Sequence, residues 1–172
     1  MNFNFKSAWL LACALIFFWS VPVQAQSGAE EPQWKESDVP APPTFDTGRL
    51  LAFEVSSASS LVYGVDPATI SITQSDGVVR YVVVATSASG TRNIMYEGIR
   101  CATGEFKTYA RYSMNGRWSL VSNPEWRSMF GNLPSKHALR FAKAGACENV
   151  TPVSSARELA NKLKNPNSGA IQ

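Results

Sequence analysis

Few residues in this chain have the types and spacing that catalysis needs. There is one histidine, His137, so any Ser-His-Asp or Cys-His arrangement must be built on it. A lone histidine near a helix start is more often structural. No GxSxG, SxxK or HExxH pattern is present, nor a GxGxxG or a P-loop. The acids Asp66, Asp76, Glu97, Glu105 and Glu125 are scattered. Glu97 falls among apolar neighbours, where it is either a general acid or the partner of a nearby arginine, unless the register is irregular at Gly98. A hydrolase or transferase working through Glu97 or His137 therefore needs a deep pocket around one of them. No catalytic residue is assigned from the sequence, and no cofactor is expected.

A second group of residues points to binding. Tyr96, Arg100, Lys107, Tyr109, Arg111 and Trp118 interleave cations with aromatic rings. Charge and ring stacking together suit an anionic polymer or head group. The competing reading is an ordinary solvated sheet face on which cationic stems cover rings.

The N-terminus sets the compartment. Residues 1–7 hold Lys6 and no acid, and an apolar run from Ala8 to Val23 follows, ending in Val23-Gln24-Ala25. This has the outline of a secretory signal peptide, with cleavage expected after Ala25. The run is short for a membrane span of about 20 residues, so no transmembrane segment is expected in the mature chain. Leu10-Leu11-Ala12-Cys13 resembles a lipoprotein acceptor site, but in that class the cysteine follows the apolar run, and here most of the run comes after it. Cys13 is thus read as part of the discarded segment, with a lipid anchor as the competing reading. Cleavage leaves 147 residues, one domain by length. The two remaining cysteines, Cys101 and Cys147, are expected to form a disulfide outside the cytosol, and paired thiolates leave no ligands for zinc. The expected location is the periplasm or the outer membrane.

Charge divides the mature chain. Residues 26–48 hold Glu30, Glu31, Glu36, Asp38 and Asp46 against Lys35, a net of −4, whereas residues 49–172 hold 14 Lys and Arg against 8 Asp and Glu, a net of +6. Pro32, Pro40, Pro42 and Pro43 make the first segment an extended, polyproline-like arm. Trp34 is its one large anchor, expected to pack on the domain. Attraction between arm and domain competes with the reading of two separately solvated surfaces, which is preferred.

From Arg49 to Ser122 the pattern is that of strands. Candidates are 50–55, 61–64, 69–73, 78–86, 91–101, 106–114 and 117–121, with a break at Asp66-Pro67. Asn115-Gly116 signals a tight hairpin. Short turns between consecutive strands imply an antiparallel meander. The period then changes. Residues 136–144 read as a helix capped by Ser135 and stopped by Gly145, and Ser155-Ala156-Arg157-Glu158 opens a second helix to about Lys164. Residues 165–172 read as a disordered tail. The expected class is α+β: a meander of five to seven strands, one or two C-terminal helices on one face, and one disulfide, within a single domain over 49–164.

Hairpin geometry assigns the faces. A four-residue loop pairs Cys101 with Phe106, and the Asn115-Gly116 turn pairs Met114 with Arg117. Alternation then places Met95, Ile99, Cys101, Phe106, Ala110, Tyr112, Met114 and Val121 on one side, with Glu97 and Arg117 as charged exceptions. The six cationic and aromatic residues share the other side with Ile94 and Leu120. Cys101 lies on the apolar side, so the disulfide should draw the helices over that side and leave the basic-aromatic side free.

The strings WKESDVPAPPTFDTGRL, YGVDPATISI, DGVVRYVVVATS, MYEGIRC and KTYARY resemble the cryptic neisserial protein family, from about Trp34 to Cys147. The resemblance implies an exported proteobacterial protein of the periplasm or outer membrane. It brings no catalytic residues. The reading that follows is a non-enzymatic binding or interaction module, meeting an anionic envelope polymer or another envelope protein, with no nucleic-acid partner expected. The alternatives are a small hydrolase or transferase of unfamiliar type, or a lipid-anchored envelope component acting through its arm.

Overall fold

Val78–Ser87, mostly apolar on both faces apart from Arg80, becomes the central strand, because only a position flanked on both sides and covered on both faces buries such a run. The computed structural model describes residues 33–166. The expected leader, its cleavage site, Cys13, the first residues of the arm and the tail beyond Pro166 lie outside the described residues. From Trp34 onward the chain forms one unit. Its sheet comprises β1 (Leu51–Phe53), β2 (Leu61–Val65), β3 (Ser71–Thr73), β4 (Val78–Ser87), β5 (Arg92–Arg100), β6 (Glu105–Tyr112), β7 (Trp118–Leu120) and β8 (Arg127–Ser128). The order is β1-β2-β4-β5-β6-β7, antiparallel throughout.

Two of these positions are strands broken by an excursion. β2 and β3 both pair with β4, one along its C-terminal half and one along its N-terminal end. Between them Asp66 accepts from the Ala68 N–H at 3.0 Å and Pro67 opens a short 3-10 turn. β7 and β8 likewise pair with opposite ends of β6. The break expected at Asp66-Pro67 is thus an interruption within one strand.

The helical part covers one side of the sheet. Helix α1 (His137–Phe141) widens into a π-turn over Ala142–Ala146, which Gly145 ends at φ 126°. That backbone conformation favours glycine. A small hairpin of β9 (Cys147–Glu148) and β10 (Thr151–Pro152) leads to α2 (Ala156–Lys164). Ser155 Oγ accepts from the Glu158 N–H at 3.2 Å, as the capping signal requires. Phe141, Leu159 and Leu163 pack with Val79, Tyr81, Val83, Ile99 and Phe106 in the main core. Cys101 and Cys147 are bonded, with S–S 1.99 Å and Cα atoms 5.6 Å apart. The α+β class, the pairing and the side chosen by the helices are as the sequence implies.

The register differs in three places. The loop after β5 pairs Arg100 with Glu105, so Ile99 faces Phe106. At Tyr96–Glu97 the ladder shifts: Tyr96 pairs with Ala110 but Glu97 pairs with Thr108, leaving Tyr109 as an extra residue on β6. Such a bulge reverses the alternation beyond it. Ala110 and Tyr112 therefore join the side expected to be basic, and Arg111, which pairs with Met95, moves to the other side and is exposed. The hairpin at Asn115-Gly116 is also one residue off, pairing Tyr112 with Trp118. The two shifts cancel for Trp118, which keeps its expected side.

Closing a loop of 46 residues stabilises the fold by about 4 kcal/mol in the chain-entropy model. The double variant Cys101→Ser, Cys147→Ser is expected to lose roughly that much in urea unfolding, and the reduced wild type should match it. A loss below about 1 kcal/mol would show that helical packing alone holds the tail.

Candidate functional site

The side of the sheet away from the helices is not left open. Residues 34–47 run across it, because the arm carries what that surface lacks: a carboxylate for buried cations and rings for partly covered ones. The two charge blocks are therefore joined here, contrary to the expectation of separate solvation. Arg80 on β4 is fully buried and paired with Asp76, also buried, at 2.7 Å. Arg80 Nη1 donates to Thr73 Oγ1 at 2.8 Å. Next to them, Lys107 and Tyr109 on β6 and Trp126 in the loop before β8 point donors at one place, where the arm inserts Glu36.

The Glu36 carboxylate is the centre of the site. Its Oε1 accepts from the Tyr109 hydroxyl at 2.6 Å and lies 3.4 Å from Arg80 Nη2. Its Oε2 accepts from Lys107 Nζ at 2.5 Å and from Trp126 Nε1 at 3.2 Å. Trp34 lies with its ring 3.7 Å from the Arg100 guanidinium carbon and edge-on to Trp126 at 5.9 Å. The indole Nε1 of Trp34 donates to the Asp76 carbonyl, and the Ser37 N–H donates to the Asp76 carboxylate. Farther along, Phe45 meets Tyr112 and Trp118 edge-on, and Trp118 Nε1 donates to the Pro43 carbonyl at 3.3 Å. The Asp46 N–H donates to buried Asp66, which fastens the far end.

Charge states follow from these contacts. Burial acts to raise the Glu36 pKa, but hydrogen bonds from Lys107 and Tyr109 and the charges of Lys107 and Arg80 outweigh it, and the group titrates below its ordinary 4.5. Burial likewise acts against Asp76, yet Arg80 and the Val78 and Ser37 N–H groups hold it below 3.8. The Tyr109 hydroxyl is pushed far above the usual phenol range by burial and by its bond to Glu36. It is a donor at every physiological pH.

Of the six residues named from the sequence, five come together on this side. Tyr96 and Tyr109 are buried with rings 5.3 Å apart. Arg100 and Lys107 are mostly covered by the arm, and Trp118 stands beside Tyr96 and Tyr112. Arg111 does not join them, for the bulge turns it away. Its place is taken by Tyr112, while Arg80, Glu36, Trp34 and Trp126 complete the site. Arg80 was legible as the lone charge in an apolar strand. The β-bulge had one signal, Gly98: a Cβ there would run into the Tyr109 hydroxyl and lie 2.9 Å from its ring, so glycine is what lets the extra residue lie flat. The Nε atoms of Arg80 and Arg100 are buried without a hydrogen-bond partner among the described residues. No group of three or more metal-ligating side chains occurs among the described residues.

On the helix side, Glu97 pairs with His137 rather than with an arginine, Nε2 to Oε2 at 2.8 Å. Both are buried, and neither lines the cavity between Ser56 and Ser135 or the one between Ala52 and Lys162. No helix among the described residues is long and apolar enough to cross a membrane.

A disulfide-clamped α+β sheet, covered by helices on one side and strapped by its own acidic arm on the other, is the class that fold and site define. The chain belongs to the CNP1-like family, whose model matches residues 29–164 and so includes the docked arm. It is similar to Cryptic neisserial protein 1 of Neisseria gonorrhoeae (strain ATCC 700825 / FA 1090), 32% identical over 101 residues. That match covers 52% of this chain and 49% of the relative, about half of each. No solved structure matches the chain.

The lowered pKa values of Glu36 and Asp76 make stability depend on acid. Their contribution is complete above the unfolded values of 4.5 and 3.8 and is lost as pH falls through the lower folded ones. Urea midpoints of the wild type should hold steady from pH 7 to about pH 5 and then fall. Glu36→Gln should start lower at pH 7 and fall less steeply. Parallel curves for the two proteins would remove Glu36 from the account.

Proposed function

We propose that the protein is an exported cell-envelope binding module, in the periplasm or at the outer membrane, whose basic-aromatic sheet face holds acidic extended chains. The observation that carries this reading is the Glu36 carboxylate itself: an acidic residue on a proline-rich arm, received by an ammonium, a guanidinium, a phenol and an indole N–H. The proposed contact residues are Tyr96, Arg100, Lys107, Tyr109 and Trp118, extended by Arg80, Tyr112 and Trp126. In the resting form the arm occupies the face, so an envelope polymer or protein with spaced carboxylates competes with it for the same donors. The unpartnered Nε of Arg100, under the Trp34 ring, leaves the face a donor to spare. The disulfide supports an oxidising compartment, and the apolar leader supports export.

Retention of the full chain on immobilised polyglutamate, read as the salt needed for elution, tests this. Glu36→Gln loosens the arm and frees cradle cations, so it should elute later than wild type. It should also elute later than Asp38→Asn, which makes the same change of charge at an exposed arm position. The pair Arg100→Glu and Lys107→Glu should elute earliest, whereas Arg111→Glu should change little. Equal shifts for Glu36→Gln and Asp38→Asn, or for the cradle pair and Arg111→Glu once scaled by charge, would reduce the effect to net charge and end the proposal.

A further inference from the structure

A second polar cluster lies on the opposite side of the same strands, away from the arm. His137 Nε2 meets the buried Glu97 carboxylate at 2.8 Å, and its other ring nitrogen, Nδ1, lies 3.1 Å from Ser135 Oγ. The carboxylate is held in place by the Thr108 hydroxyl at 2.9 Å on one oxygen and by the Tyr81 hydroxyl at 3.3 Å on the other. The Tyr63 ring stacks parallel to the imidazole, at 5.6 Å and 3°, while its hydroxyl lies 2.9 Å from Ser135 Oγ. Phe106 closes the ring edge-on. In neutral imidazole, a carboxylate at Nε2 fixes the proton on that nitrogen, which turns the Nδ1 lone pair toward the serine hydroxyl. Glu97, His137 and Tyr63 are buried, whereas Ser135 is half-buried. Ser135 and Tyr63 line a cavity of about 470 Å³, walled also by Ser56, Ser59, Lys136 and Arg140. Arg140 is exposed and makes no ion pair among the described residues.

We infer that Ser135, His137 and Glu97 form a nucleophile, base and orienting acid that open on this cavity and cleave small acyl esters of polar, anionic compounds. The roles are those of a serine hydrolase relay with the two imidazole nitrogens exchanged, which leaves the proton chemistry unchanged. Ser135 Oγ attacks the ester carbonyl carbon as its proton passes to His137 Nδ1, and the carbonyl π pair moves to oxygen. The Tyr63 hydroxyl donates to that oxyanion. The tetrahedral species collapses, the ester C–O bond breaks, and the leaving alkoxide takes the proton from Nδ1. Water, deprotonated by the same nitrogen, then releases the acid and restores Ser135. Lys136 and Arg140 on the wall select an anionic substrate, and the serine hydroxyls select a polar one. Ser135 also accepts from the His137 N–H at 3.2 Å, the contact of a helix-start residue. A purely structural role ends there and makes no covalent bond.

Incubation of the full folded chain with an alkyl fluorophosphonate tests the inference, followed by intact mass and peptide mapping. Replacement of fluoride by Ser135 Oγ on phosphorus, with release of HF, should give one adduct on the peptide holding Ser135. The adduct should vanish in Ser135→Ala and in urea. His137→Gln should slow labelling by about 100-fold. Because mapping the wild-type adduct needs no variant, misfolding of a variant leaves the result readable. Tyr63→Phe keeps the stacked ring and removes the donor, so it should lower kcat on p-nitrophenyl acetate with KM nearly unchanged. Folded wild type that carries no adduct on Ser135, or labels at the same rate when His137 is replaced, overturns the inference.

Discussion

The structure turns on one carboxylate received by four donors. Glu36 sits mostly out of water between Arg80, Lys107, Tyr109 and Trp126, and its position fixes the course of the arm from Trp34 to Asp46. Ion pairs of this kind add little net stability, since desolvation offsets most of the attraction, but removal of one member leaves the others charged and unpaired. Their effect is on specificity. A proline-rich segment with no ladder of its own gains a single defined path, and four prepositioned donors accept a carboxylate at that point and little else. The occupant of this face is the chain's own acidic arm, held there through one carboxylate.

The strand pair β5 and β6 links the two polar clusters. On β5 the alternating residues Tyr96 and Glu97 point to opposite sides, one to the arm and one to the helices. The bulge across from them on β6 lets Thr108 support Glu97 while Tyr109, one residue on, supports Glu36. The disulfide and the helices then fix the Glu97 side, since Cys101 follows β5 and Cys147 follows the helix that begins at His137. Arm and helical tail hold the sheet from its two sides through neighbouring residues of one strand pair.

The features legible in the sequence are those that local chemistry determines. Asp66-Pro67 breaks a strand because of proline, Ser155 caps a helix through its hydroxyl, and Cys101 and Cys147, expected as a pair, are bonded to each other. The apolar side of the meander followed from alternation as far as Glu97. Beyond it, a single extra residue at Tyr109 exchanged Arg111 for Tyr112, and nothing but Gly98 marked the change. The docked arm was hidden for a different reason. Its charge and its tryptophan were visible, but whether an acidic segment stays in water or inserts depends on donors from strands β4 and β6 and the loop at Trp126, which converge only in three dimensions. The link from Ser135 to Glu97 through His137 was hidden in the same way, since it joins a strand to a helix start 40 residues away.

The most direct measurement of the central claim is a double-mutant cycle between Glu36→Gln and Lys107→Met, read by urea unfolding at pH 7. A carboxylate held as described predicts a coupling of about 1 kcal/mol or more between the two positions, so that the double variant is less damaged than the single losses add up to. Strict additivity would mean that Glu36 and Lys107 do not sense each other, and that the arm is not fastened to the sheet through this carboxylate.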